Sequence, residues 1–247
     1  MSLSSSITTV RESVVAVLRF RTIRHQTMKK GKVRPAKYEC NWGSGFVVVA
    51  DRYVVTAFHV LTDGHSRNPQ DKFVVFIVPG NGDPAFHFPV INFPVERSDL
   101  DLAILEIGPC ATQGMHLPAL PVSFGTQLDG ARVLTVGFPA PEIVSINIDD
   151  QGNYIGGQLF LKSHANEGIV SAQYRLGTLN VYEFNIGWHH GESGGPIVKL
   201  DEQVSVFTVM QQYRSIQSPN GIFAGPHRGC ALSALQHDLI KLGATIV

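Results

Sequence analysis

The chain has 247 residues, of which 44% are hydrophobic and 16% charged, and its 20 basic and 20 acidic side chains balance at pH 7. That length suits one compact domain or two small lobes that share a cleft. The balanced charge gives no support for a nucleic-acid partner or for an anionic membrane surface. The longest apolar run, Phe73–Val78, is far too short to span a bilayer, so we expect no membrane partner.

The beginning of the chain and its cysteines favour a soluble protein inside the cell. Residues 1–9 are polar and rich in serine, and charged residues precede the first apolar stretch, so no signal peptide is recognised. The three cysteines, Cys40, Cys110 and Cys230, cannot all pair within one chain and lie too far apart for a CxxC motif. Secreted chains of this size usually carry several disulfides. We therefore expect free thiols and a cytoplasmic location.

Short runs of β-branched and aromatic residues recur between turn residues and predict an all-β protein. The 24 glycines and 14 prolines fit many short elements joined by tight turns. The clearest predicted strands are Val14–Phe20, Phe46–Val49, Tyr53–Thr56, Phe73–Val78, Leu102–Ile107, Arg132–Val136, Gly168–Ala172, Val181–Ile186 and Val204–Met210. Few helical periods compete, which favours a β-sandwich or barrels over alternating βαβ units. Residues 108–124 hold three prolines and two glycines, and we interpret them as a link between lobes at about 10–115 and 122–232.

The end of the chain predicts a helix. The segment that begins at Ser233 has the S-x-x-Q form of a capping box, and leucines then recur on one helical face. Gly243 is well placed to end the helix. We expect a helix over Ala234–Leu242, docked on the second lobe.

The strongest motif is the six-residue run Gly-Glu-Ser-Gly-Gly-Pro at 191–196. A serine hydroxyl is a poor nucleophile until a neighbouring base takes its proton. It must also lie in a turn whose N–H groups point at a developing oxyanion, and flanking glycines permit such a turn. A plain glycine-rich β-turn would explain a shorter motif equally well. The length of this run favours a nucleophile at Ser193.

Two further residues fit a base and an orienting acid. His59 lies just beyond the second strand of a predicted hairpin, where the end of a strand would hold it rigidly. Asp101 directly precedes a buried strand, where its carboxylate can accept the imidazole Nδ1–H and fix the tautomer. Taken alone, each is explained better by a structural histidine or a surface turn. Their joint occurrence with Ser193, in the order His, Asp, Ser, outweighs those alternatives.

These motifs resemble the trypsin-like serine protease family, and more closely the protease domain of its bacterial HtrA/Deg branch. The matching segments are Gly43–Phe46, Thr56–Val60, Asp101–Leu105, Val133–Pro139, Gly168–Ala172 and Gly191–Pro196. The resemblance covers roughly residues 10–235. It implies a chymotrypsin-like double barrel of two six-stranded antiparallel β-barrels, followed by the C-terminal α-helix.

The resemblance also implies roles for particular residues. His59 and Asp101 would come from the first lobe and Ser193 from the second, and the N–H groups of Gly191 and Ser193 would form the oxyanion hole. Asp101 is preferred over Asp99 because the family motif places the acid directly before Leu-Ala. The implied function is a serine endopeptidase that cleaves a polypeptide substrate through an acyl-enzyme, with no cofactor and no metal.

The chain departs from the family pattern in one position and one module. Glu192 precedes the nucleophile where Asp or Asn is usual, and no convincing activation site is found. We therefore expect the resting oxyanion loop to be misformed until substrate, or an activating partner protein or assembly, binds. No PDZ-like sequence follows Ser233. The alternative function is a catalytically silent or conditionally activated protease-fold module that acts as a binding or effector subunit.

By the same resemblance, a small set of residues should line the pocket for the side chain before the scissile bond. They are Gly187, Trp188, His189, His190, Met210, Gln211 and Gln212. None is a carboxylate, which argues against Arg or Lys substrates and favours small or medium apolar side chains. An acidic preference through the histidines, His227 or Arg228 is the competing interpretation. Adjacent residues on a strand point to opposite faces, so the neighbouring His189 and His190 do not predict a metal site.

Overall fold

The computed structural model describes residues 2–24, 27–29, 32–34, 37–62, 66–79, 84–110, 112, 114–187, 189–201, 203–218 and 221–247. The first half holds α1 (Leu3–Ser13), β1 (Val14–Arg24), β2 (Thr27–Lys29), β3 (Lys32–Arg34), β4 (Lys37–Val49), β5 (Tyr53–Thr56), β6 (Lys72–Ile77), β7 (Phe86–Arg97) and β8 (Leu102–Ile107). The second half holds β9 (Arg132–Gly137), β10 (Glu142–Ile148), β11 (Tyr154–Phe160), β12 (His164–Leu176), β13 (Leu179–Asn185), β14 (Pro196–Lys199), β15 (Ser205–Val209), β16 (Gln212–Ser218), β17 (Gly221–Cys230) and α2 (Gln236–Leu242).

The strands form two lobes. In the first lobe, six antiparallel strands close into a barrel in the order β1-β4-β5-β8-β7-β6. In the second lobe, a seven-stranded sheet has the order β15-β14-β9-β12-β13-β17-β16, and a bridge between Thr208 and Ala231 brings its two sides together. The prediction of an all-β, chymotrypsin-like double barrel with a short C-terminal helix is confirmed. The second lobe differs in detail, because its sheet has seven strands and is only partly closed.

Strand β1 explains how the lobes pack. Residues Val14 to Phe20 are all buried, because alternate side chains of a strand point to opposite faces and both faces of β1 are covered. Val15 and Val17 belong to an apolar cluster formed by first-lobe residues. Val14 and Ala16 belong to a second cluster, to which both lobes contribute. The apolar run from Val14 to Leu18 therefore marks a strand that stabilises one barrel and docks it on the other.

The shared cluster fixes the interface between the lobes. Phe46, Val55 and Ile104 of the first lobe pack there with Leu134 and Val136 of the second, and each is at most 1% exposed. Full burial of such side chains contributes roughly 1.5–3 kcal/mol each. The relative position of the lobes, and of the cleft between them, is thus set by the core itself.

Both ends of the chain differ from the sequence-based expectations. Helix α1 was not predicted, although Ser2 caps it by accepting a hydrogen bond from the N–H of Ser5. At the other end, the predicted capping box at Ser233 does not form. Residues Leu232–Leu235 form a 3-10 turn instead, and no side chain caps the helix α2 that follows. Gly243 does end the helix, with φ at 91° in the left-handed region.

Two long elements also escaped prediction. Strand β7 contains Pro89 and Pro94, and the register of its pairing with β8 shifts twice, so its pattern is broken. The β10–β11 hairpin exposes apolar side chains such as Val144 and Ile155. In the described part of the chain, neither helix is long and apolar enough to cross a membrane.

Candidate active site

His59 and Asp101 form a close pair at the mouth of the first barrel. His59 lies in the 3-10 turn Phe58–Leu61 that directly follows β5. Its Nδ1 lies 2.8 Å from Oδ2 and 3.1 Å from Oδ1 of Asp101, and its backbone N–H donates to Oδ1 at 2.9 Å. The carboxylate therefore holds both the ring and the backbone of the histidine. This geometry leaves Nε2 directed away from the acid and available as a base.

The backbone of Asp101 is itself held in place. The residue lies in the turn before β8 with φ at 53°, in the left-handed region that Asp tolerates better than most residues. Its carbonyl oxygen accepts hydrogen bonds from the N–H of Phe58 at 3.2 Å and from Nε2 of Gln211 at 2.9 Å. A left-handed backbone conformation is strained for a residue other than glycine, and it persists only where surrounding contacts hold it.

The neighbouring aspartate has different contacts. Asp99 accepts two hydrogen bonds from Arg97, at 2.9 and 2.7 Å, and its side chain is 62% exposed. Of the two acids, the structure thus brings Asp101 to the histidine and leaves Asp99 at the surface.

Ser193 lies in the turn that joins β13 to β14, in the cleft between the lobes. Its Oγ donates to the carbonyl oxygen of Gln211 at 3.3 Å. Within the described residues, no hydrogen bond joins this Oγ to His59. Hydrogen bonds between catalytic side chains are often long or absent until substrate binds.

The turn around Ser193 depends on two glycines. Gly191 has φ at 99°, and a side chain there would collide with the carbonyl of Phe138 and lie 2.8 Å from Nε1 of Trp42. Gly194 has φ at 87°, and a side chain there would collide with the carbonyl of Ser44. Positive φ and close backbone approach together require glycine at both positions.

The same turn leaves two N–H groups open. Glu192, Gly194 and Gly195 donate their N–H groups to backbone carbonyls at 3.1, 2.7 and 3.0 Å. The N–H groups of Gly191 and Ser193 bond to no residue of the described chain. They are the two groups that the resemblance assigns to the oxyanion hole, and the expectation of a misformed resting loop stays a prediction.

Ser44 joins this loop to the first lobe through hydrogen bonds, a role that the sequence did not predict. Its N–H donates to the carbonyl of Ser193 at 2.7 Å, and its Oγ donates to the carbonyl of Gly191 at 2.7 Å. The same Oγ accepts from the N–H of Phe138 at 2.9 Å, and the carbonyl of Ser44 accepts from Thr56 Oγ1 at 2.7 Å. Ser44 is fully buried. The available signal was a hydroxyl placed between two glycines, directly before the apolar end of the strand, Phe46–Val49.

Gln211 also joins the two lobes through hydrogen bonds of its side chain. Its Nε2 donates to the carbonyls of Leu100 at 2.6 Å and Asp101 at 2.9 Å, and its Oε1 accepts from the N–H of Cys230 at 3.0 Å. The side chain was predicted to line the substrate pocket. That assignment is corrected, because the residue is 5% exposed and its amide is fully engaged in backbone contacts.

Glu192 has no access to solvent and is held by the second lobe. Its Oε2 accepts from the N–H of His189 at 2.6 Å, and its Oε1 accepts from Nδ2 of Asn166 at 3.2 Å. Burial raises the pKa of this carboxyl above its usual range, and the hydrogen bond from His189 opposes the rise. Glu192, which stands where the family usually has Asp or Asn, is therefore hydrogen-bonded within this chain.

The remaining predicted pocket residues fall into three groups. Gly187, His189 and His190 are exposed on the segment between β13 and the Ser193 turn, and Gln212 is exposed at the start of β16. Met210 is fully buried in the core of the second lobe, so its side chain forms no exposed pocket wall. Trp188 lies outside the described residues.

His227 was a further candidate for positive charge near the substrate. His227 is partly buried, and burial lowers the pKa of its imidazole, with the neighbouring His189 as a second cause. A lowered pKa keeps His227 neutral near pH 7. In the described part of the chain, no three His, Cys, Asp or Glu side chains are grouped so as to hold a metal ion.

Comparison with known proteins agrees with this geometry. A family model described as trypsin-like peptidase domain matches residues 43–205, which is more than half of the chain. The chain is also 26% identical over 191 residues to the magnetosome formation protease MamE of Paramagnetospirillum magneticum (strain ATCC 700264 / AMB-1). That match covers 75% of this chain and 21% of the relative, so the chain spans about a fifth of that protein's length.

Proposed function

Because the chain belongs to the trypsin-like peptidase domain family, we propose that it is a serine endopeptidase with Ser193 as nucleophile, His59 as base and Asp101 as orienting acid. One observation carries the proposal. His59 Nδ1 lies 2.8 Å from Asp101, and Gln211 bonds both to the carbonyl of Asp101 and to Ser193 Oγ, whose turn presents two open N–H groups. Neither feature alone distinguishes an enzyme from a structural turn.

The chemistry follows from these positions. His59 Nε2 takes the proton of Ser193 Oγ as the oxygen attacks the carbonyl carbon of a peptide bond. The resulting oxyanion accepts hydrogen bonds from the N–H groups of Gly191 and Ser193. The imidazolium then gives its proton to the leaving amine, and water repeats the sequence on the acyl-enzyme. Asp101 stabilises the imidazolium and keeps the proton on Nδ1.

Labelling with a fluorophosphonate probe tests the proposal directly. We expect covalent labelling of the wild-type chain at Ser193, detected by mass spectrometry of its peptides, and none in Ser193→Ala. Ser171→Ala, at an exposed serine of β12, is the matched control and should label like the wild type. Equal labelling of Ser193→Ala and the wild type would overturn the assignment of the nucleophile.

We propose that the enzyme prefers uncharged side chains before the scissile bond. Gly187, His189, His190 and Gln212 supply no carboxylate to neutralise Arg or Lys, and His227 remains neutral near pH 7. A peptide-library profile at pH 7.5 should therefore show cleavage after small or medium apolar residues. Strong cleavage after Arg or Lys contradicts the pocket assignment, and cleavage after Asp or Glu identifies the histidines as specificity residues.

One observation favours a conditionally active form as the second candidate. In the described part of the chain, Ser193 Oγ donates to the carbonyl of Gln211 and makes no hydrogen bond to His59. An enzyme at rest in this state labels slowly until a polypeptide substrate or an activating partner shifts the side chain. Labelling rates that rise after incubation with substrate peptides distinguish this form from a constitutive enzyme, whose rate does not change.

A further inference from the structure

A cavity of about 330 Å³ lies away from the triad, between the first barrel and the tip of the β10–β11 hairpin. Most of its wall comes from β6 and β7, and Asn153 and Tyr154 of the hairpin close it from the second lobe. Its volume is within the range of small-molecule sites. Neither the triad nor the Ser193 turn contributes to it, so peptide hydrolysis leaves this cavity unexplained.

Aromatic rings make the cavity wall rigid. Tyr154 packs edge to face on Phe76 at 5.2 Å and on the imidazole of His87 at 5.0 Å, measured between ring centroids. On another side, Phe73 packs edge to face on Phe93 at 5.2 Å. Such contacts fix ring positions and preform an apolar space for a flat group.

The hairpin turn over the cavity is also preformed. Asp149 accepts hydrogen bonds from the N–H groups of Gln151 at 2.9 Å and Asn153 at 2.8 Å. A Cβ placed on Gly152 would lie 3.6 Å from Cε of Lys72, so the turn contacts this lysine side chain. The opening of the cavity is thus set by contacts between the two lobes.

Lys72 is the one cation of the cavity lining whose charge no described side chain neutralises. The carboxylate of Asp71 also lines the cavity, but it lies 3.7 Å from Arg19 and 3.5 Å from Arg21. Burial lowers the pKa of His87, so this ring is neutral at pH 7. Lys72 is exposed and makes no ion pair with the described part of the chain. An aromatic space beside a single open ammonium group complements an apolar group that carries an acid.

We propose that this cavity binds a hydrophobic carboxylate, with the apolar group between the aromatic rings and the carboxylate on Lys72. The free acid of a small aromatic compound and the C-terminal residue of a peptide share this chemistry. Bound ligand contacts β6 and β7 on one side and the hairpin on the other, and so it ties the second lobe to the first. The proposal stands independently of the peptidase activity.

Isothermal titration of the full chain tests the site with three probes: 3-phenylpropionate, acetyl-Gly-Gly-Phe with a free carboxylate, and the same peptide as its amide. Ser193→Ala serves as the protein background, so that no probe is cleaved. We expect saturable binding of an acid below about 1 mM and at least tenfold weaker binding of the amide, since a charge-assisted hydrogen bond is lost. Binding of both acids identifies the phenyl and carboxylate groups as sufficient, and binding of the peptide alone identifies its C-terminus as the ligand.

Substitutions then locate the ligand. In the same background, Lys72→Gln should weaken binding of the acid about tenfold, and Lys72→Arg should largely restore it. Lys162→Gln is the matched control, since Lys162 is an exposed lysine that lines a different cavity. Amide hydrogen exchange over residues 150–156 should slow when ligand binds. Equal binding to Lys72→Gln and the parent, equal binding of acid and amide, or loss with Lys162→Gln instead would overturn the proposal.

Discussion

The two halves of the candidate site are organised to different degrees. In the first lobe, three contacts of 3.1 Å or less join His59 to Asp101 and fix both ring and backbone. In the second lobe, the hydroxyl of Ser193 makes a single hydrogen bond of 3.3 Å, to a carbonyl rather than to the base. The proposed acid and base are thus joined by hydrogen bonds in the structure, whereas the proposed nucleophile makes no hydrogen bond to the proposed base. If the resting form and the form with bound substrate or activating partner differ in reactivity, we expect the difference to arise at Ser193.

Removing the nucleophile or the base should have the largest effect. Ser193→Ala or His59→Ala should each lower kcat/KM by about 10⁴- to 10⁶-fold with little change in folding stability. Because the two act as a unit, the double variant should be scarcely slower than either single variant. Hydrolysis of peptide substrates and thermal unfolding measure both quantities. Full activity of purified Ser193→Ala would contradict the proposed function.

Disturbing the half that is joined by hydrogen bonds should cost somewhat less. Asp101→Asn should lower kcat by roughly 10⁴-fold at neutral pH, because the amide favours the wrong imidazole tautomer. Asp99→Asn is the matched control and should be nearly silent, since Asp99 bonds to Arg97 at the surface. Steady-state kinetics of the Asp101→Asn and Asp99→Asn variants measure both effects on kcat. The reverse result would identify Asp99 as the orienting acid.

Loosening the contact between the halves should have an intermediate effect. Gln211→Ala leaves the carbonyls of Leu100 and Asp101 and the N–H of Cys230 without their side-chain partner. We expect a loss of about 1–3 kcal/mol of folding stability and a fall in kcat of about 10- to 100-fold, with KM changed less. Gln212→Ala, at the exposed neighbour, should change neither. An unchanged kcat in Gln211→Ala would show that this side chain does not position the acid.

A smaller effect should come from the buried carboxyl next to the nucleophile. A raised pKa means that folded Glu192 keeps its proton at a pH where the unfolded chain has released it, so its contribution to stability falls as pH rises through that window. Glu192→Gln removes this dependence. The unfolding temperature of the wild type should therefore decline relative to the variant between pH 4 and pH 8. Each kcal/mol lost from the free energy of unfolding lowers the unfolding temperature by about 2–4 °C. A difference that grows in the opposite direction would show that the carboxylate is stabilised where it lies.

No effect at all is expected from reductants or chelators. Cys40, Cys110 and Cys230 are free thiols in the structure, and among the described residues none of these thiols hydrogen-bonds to the proposed triad. Dithiothreitol and EDTA should leave peptide hydrolysis unchanged, and thiol titration of the unfolded chain should count three groups. Inactivation by EDTA that zinc reverses would contradict this prediction.

The sequence predicts local patterns well and distant contacts poorly. Strands β5 and β8 are observed with the predicted bounds, because apolar residues mark a buried strand directly. His59, Asp101 and Ser193 are proposed from short motifs, and the structure joins His59 to Asp101 directly and Asp101 to Ser193 through Gln211. By contrast, the bonds of Ser44 join residues 147 apart, which no local pattern encodes.

The contacts of Ser44 have a consequence for protein synthesis. The loop that carries the nucleophile takes its shape from a hydroxyl and an N–H that belong to the first barrel. A nascent chain that ends before residue 193 has an acid and a base but nothing to activate, and a detached second lobe lacks the group that shapes its loop. Domains fold as units during translation, with the earlier one first. The proposed hydrolysis therefore requires that both barrels have folded and docked, so we expect an unfinished chain on the ribosome to be inactive.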